Sequence, residues 1–74
     1  MPTGKRSLFE LAMAYVNVIE QIERTADAGR LRELEEERII RHNQFADALK
    51  AVGISYKDRE HVTRIAFRIA KQEL

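Results

Sequence analysis

The chain has 74 residues, 45% of them hydrophobic and 34% charged, with a formal net charge of +1 and no cysteine. This composition excludes a disulfide-stapled scaffold and a thiolate metal site, and it is too apolar for a disordered tail. A length near the lower end of what folds alone leaves a thin margin of stability, so burial against a second chain would help.

Residues 1–6 hold Pro2, Gly4 and two adjacent cations, lack periodicity and are expected to form a flexible arm. They contain no apolar core of a signal peptide, and the longest apolar run, residues 11–16, is far shorter than the roughly 20 residues that cross a bilayer. A cytoplasmic protein with no membrane partner is expected.

The rest of the chain, 7–74, reads as a single helical domain. Ser7 and Glu10 stand at the spacing of a capping box, which predicts a first helix over about 7–28, ended by Gly29 in a left-handed conformation. A second helix is expected over about 30–52, with Glu33, Glu35, Glu36 and Glu37 in its first turns and Gly53 after its end. Leu31, Leu34, Phe45, Ala48, Leu49 and Val52 share its apolar face, which Arg38, Arg41 and His42 interrupt as a polar waist. Ser55, with Asp58 three residues on, predicts the start of a third helix over about 55–73, whose inner stripe is Val62, Ile65, Ala66, Ile69 and Ala70. No segment alternates with period two for long enough to make a strand. The expected fold is all-α: a three-helix up-down-up bundle, or a long hairpin of the first two helices plus a third, dimeric in either form.

Two surfaces stand out as candidates for function. Ten of the twelve residues over 8–19 are apolar, so the first helix asks to be covered on nearly every side. Leu8, Leu11, Ala12, Tyr15, Val18, Ile19 and Ile22 suit the bundle core, which leaves Phe9, Met13 and Val16 on an adjoining flank as a homodimer or partner interface. Ile40 points away from the apolar face of the second helix and joins that set. The other surface is basic. Residues 1–49 hold seven Lys/Arg against nine Asp/Glu, and residues 50–74 hold six against three. Lys57, His61, Arg64, Arg68 and Lys71 recur at spacings of four and three, which lines them along one face of the third helix. Such a row can follow a phosphate backbone, with His61 contributing charge only when protonated.

A helix-turn-helix reading of residues 45–64 places Gly53-Ile54-Ser55 at the turn, but Arg59 then stands where an apolar anchor belongs, so electrostatic contact is favoured over specific duplex reading. Within 30–41, four arginines and four glutamates are expected to neutralise one another, Glu37 with Arg41 at i,i+4. In a dimer, Arg38, Arg41 and His42 would instead pair with Glu35 or Glu37 across the interface. The two histidines lack companions at ligand spacing, and neither a glycine-rich phosphate loop nor a nucleophile with a base is present. The sequence therefore assigns no metal, cofactor or catalytic residue. It points to a non-enzymatic, homodimeric adaptor or regulator with an unidentified protein partner, and alternatively to a nucleic-acid-binding regulator.

Overall fold

The computed structural model describes residues 7–72, with side chains through residue 71. The arm expected over 1–6 and the last residue of the third helix expected at 73 lie outside the described residues. Within them the fold is all-helical and contains no strand: α1 (Leu8–Arg24), α2 (Ala28–Ala51) and α3 (Arg59–Gln72). None of these helices is long and apolar enough to cross a membrane.

The N-terminus of α1 is the capping box that its residues predict. Ser7 Oγ accepts from the Glu10 amide at 3.1 Å, and Glu10 Oε1 accepts from the Ser7 amide at 3.4 Å. The helix then stops four residues earlier than expected. Thr25 turns to an extended conformation and donates its hydroxyl to the Gln21 carbonyl at 2.7 Å. Asp27 caps α2, its Oδ1 accepting from the Gly29 amide at 3.3 Å. Gly29 therefore lies in the first turn of α2 and terminates nothing. The short polar side chain of Asp27 is a better helix starter than glycine is a stopper here.

The far end of α2 follows expectation. Gly53 has φ 81°, and its amide donates to the Lys50 carbonyl while that of Ile54 donates to Leu49, the paired bonds of a Schellman motif. The start of α3 does not. Asp58, and not Ser55, is the cap: its Oδ1 accepts from the His61 amide at 2.9 Å, and its carbonyl accepts from Val62 at 3.1 Å. Residues 53–58 form the connection.

Consecutive helices reverse direction. Tyr15 meets His42 and Phe45 on α2, with ring centroids 5.6 and 6.4 Å away, whereas Gln21 accepts from Arg30 near the start of that helix at 3.4 Å. Along α3 the order is forward: Tyr15 bonds Thr63 at 2.8 Å, and Glu20 pairs with Lys71 at 3.2 Å. The α1 helix packs extensively on both neighbours, while α2 and α3 meet much less. The 24 residues of α2 span about 36 Å at 1.5 Å per residue, which matches the longest molecular extent of 37 Å.

The core is Ala12, Tyr15, Val16, Phe45, Ala46, Leu49, Val62 and Ala66. The Thr63 hydroxyl donates to the Arg59 carbonyl at 3.1 Å, so the buried Tyr15 hydroxyl donates to Thr63 and keeps its only polar atom satisfied. One expected position is reversed by this packing. Val52, placed by its periodicity on the inner face, is exposed because it is the cap residue at which the chain leaves the helix. His42 lies on that inner face where it was expected to interrupt the apolar stripe, 9% exposed and set edge-on to Tyr15.

Candidate functional site

The apolar flank of α1 divides in two. Phe9 and Met13, one turn apart, are 48% and 39% exposed. Val16, expected beside them, is 4% exposed and belongs to the core with Val62 and Ala66. The reason is the placement of α3, which runs alongside α1 from Tyr15 to Glu20 and covers the flank there, so the patch narrows to the first two turns. Ile40 is exposed as expected. Ile39 is exposed beside it, a residue that the sequence pattern did not single out. Its signal is its place one residue outside the arc marked by Leu34, Phe45 and Leu49.

The basic face of α3 is less continuous than its spacing implies. Arg64 and Arg68 are exposed on the helix, and Lys57 is exposed but lies in the connection before Asp58, because α3 starts later than its residues suggest. Lys71 is committed to Glu20 and lies 5.9 Å from the Phe67 ring centre, a geometry that joins an ion pair to a cation–π contact. His61 is half-buried at the helix start, where its Nδ1 accepts from the Lys57 amide at 2.9 Å. That bond ties the imidazole to the turn that precedes the helix. Lys57, Asp58, Glu60, His61 and Arg64 line an open concavity in which two carboxylates stand among the cations. This mixture dilutes the attraction for an anion.

The charges along α2 are largely satisfied within the helix. Arg30 pairs with Glu33 at 3.2 Å, Arg38 with Glu35 at 3.3 Å and Arg41 with Glu37 at 3.2 Å. Glu35 and Glu37 thus already hold the cations that a dimer register would have drawn on across an interface. Each pair is i,i+3 or i,i+4 on a partly solvated face and contributes about 0.3–0.5 kcal/mol. His42 sits inside this row with Nδ1 3.4 Å from Asn43 Oδ1, and its buried Nε2 has no hydrogen-bond partner. Among the described residues, no three His, Cys, Asp or Glu side chains converge.

In comparison with known proteins, no protein-family model, no curated protein and no solved structure matches the chain.

Proposed function

We propose that the protein is a non-enzymatic helical interaction module that acts as a homodimer and presents a helical surface to a protein partner, as a small regulator or adaptor. The observation that carries this reading is the exposure of large apolar side chains on regular helices: Phe9 and Met13 on α1, Ile39 and Ile40 on α2. Apolar surface held at fixed helical spacing stabilises a complex when a second surface covers it, at about 25 cal/mol per Å². A chain this short has much to gain from that cover. The absence of cysteine suits a reducing cytoplasm as its place of action.

Sedimentation velocity from low to high micromolar concentration tests the reading, with the wild type beside Phe9→Glu/Met13→Glu and Ile39→Glu/Ile40→Glu. The expected outcome is a concentration-dependent dimer, weakened by at least one of the paired substitutions while far-UV circular dichroism keeps its helical signature. A wild type that stays monomeric throughout would sink the self-association part.

A second reading is favoured by the exposure of Arg64 and Arg68 on α3 and of Lys57 just before its cap. In it the protein binds nucleic acid through phosphate contacts, and affinity falls steeply as salt rises. Anisotropy of labelled duplex and single-stranded nucleic acid should then show saturable binding that Arg64→Glu/Arg68→Glu abolishes. The engagement of Lys71 by Glu20 and of His61 by the turn places this reading second.

A further inference from the structure

The outer face of α2 carries charges that the chain leaves unpaired, and their order is self-complementary. At 3.6 residues per turn, Arg32, Glu36, Ile39, Ile40, Asn43, Asp47 and Lys50 share one side of the helix, and all seven are exposed. Ile39 and Ile40 are the two middle residues of α2 (Ala28–Ala51). The ion pairs of α2 use Arg30, Glu33, Glu35, Glu37, Arg38 and Arg41. Among the described residues, Arg32, Glu36, Asp47 and Lys50 take part in none. The charges that flank the isoleucines are thus the ones available to another molecule.

We propose that this face receives a second copy of the chain, with the two α2 helices antiparallel about a two-fold axis between Ile39 and Ile40. Such an axis sets residues equidistant from the midpoint opposite one another, and every contact occurs twice. Ile39 then faces Ile40 of the second copy, Glu36 faces its Asn43, and Arg32 faces its Asp47. Oppositely charged groups meet, the apolar pairs meet, and no like charges oppose. Moving the axis half a heptad toward the N-terminus brings Glu36 onto its own counterpart. Moving it as far toward the C-terminus brings Glu36 to Lys50 but sets Ile39 against Asp47 and separates the isoleucines. The isoleucine pair and the charge order together select the central register, as apolar seams and flanking charges do in coiled coils. The isoleucines supply the apolar contact, and the exposed ion pairs fix alignment more than they add affinity.

This assignment rests on the reading of the protein as self-associating, and a charge-swap experiment separates the two. Arg32→Asp, Asp47→Arg and the double variant Arg32→Asp/Asp47→Arg are compared with the wild type by sedimentation velocity, with circular dichroism confirming that each is helical. Either single reversal places like charges opposite each other twice per dimer and should weaken dimerisation by roughly tenfold or more. The double variant restores both pairs and should return to within about twofold of the wild type. An equimolar mixture of the two single variants should form a heterodimer, because a carboxylate of one variant then faces a guanidinium of the other at both sites. A wild type monomeric at every concentration overturns both the self-association reading and this face. A dimer indifferent to the single reversals overturns this face alone and moves the contact to another surface, such as that of Phe9 and Met13. Single variants that dissociate without recovery in the double variant or the mixture overturn the antiparallel pairing.

Discussion

At the scale of single residues, two glycines that look alike in sequence do opposite work. A Cβ added at Gly29 would meet only Asp27 Oδ1, at 3.9 Å, and the position has an ordinary helical backbone. Gly29→Ala should therefore raise stability by about 0.5–1 kcal/mol, through helix propensity and a less flexible unfolded chain. Gly53 has open space around it, but its φ of 81° is one that a side chain resists. Gly53→Ala should cost about 1–2 kcal/mol and loosen the paired bonds that close α2. Chemical denaturation of both variants checks the opposite signs. Conformation, and not crowding, separates the two positions.

At the scale of elements, the ends of the helices show how much is legible in the sequence. The start of α1 and the close of α2 follow from Ser7, Glu10 and Gly53, because each motif is complete within a few residues. The start of α3 is ambiguous because Ser55 and Asp58 are both competent caps, and the choice depends on which turn lets Val62 and Ala66 reach the core. Asp58→Ala should cost about 1 kcal/mol, whereas Ser55→Ala should change stability by a few tenths at most, as thermal unfolding of the two will show. The candidate surfaces follow the same division. Exposure of Phe9, Met13 and Ile40 is readable from helical periodicity, since it depends on one helix at a time. Burial of Val16 and capture of Lys71 by Glu20 are not, since both arise where α3 settles against α1.

At the scale of the whole molecule, α1 is the wall that the other two helices share in building the single core. It binds α2 through Tyr15, His42 and Phe45, and α3 through Tyr15, Thr63, Glu20 and Lys71, while contact between α2 and α3 stays slight. The proposed self-association face belongs to α2 and the basic side to α3, so each can be engaged without displacing the other. That arrangement also makes the molecule unequal in how it opens. Release of α3 breaks one packing and leaves the α1–α2 hairpin standing, whereas release of α2 breaks the larger one. Amide hydrogen exchange should accordingly divide the chain into two cooperative units, with α3 amides exchanging through a lower-energy opening than the central turns of α1 and α2. An opening of that kind would bring Val16 into solvent beside Phe9 and Met13 and so reassemble the apolar stripe implied by the periodicity of the first helix.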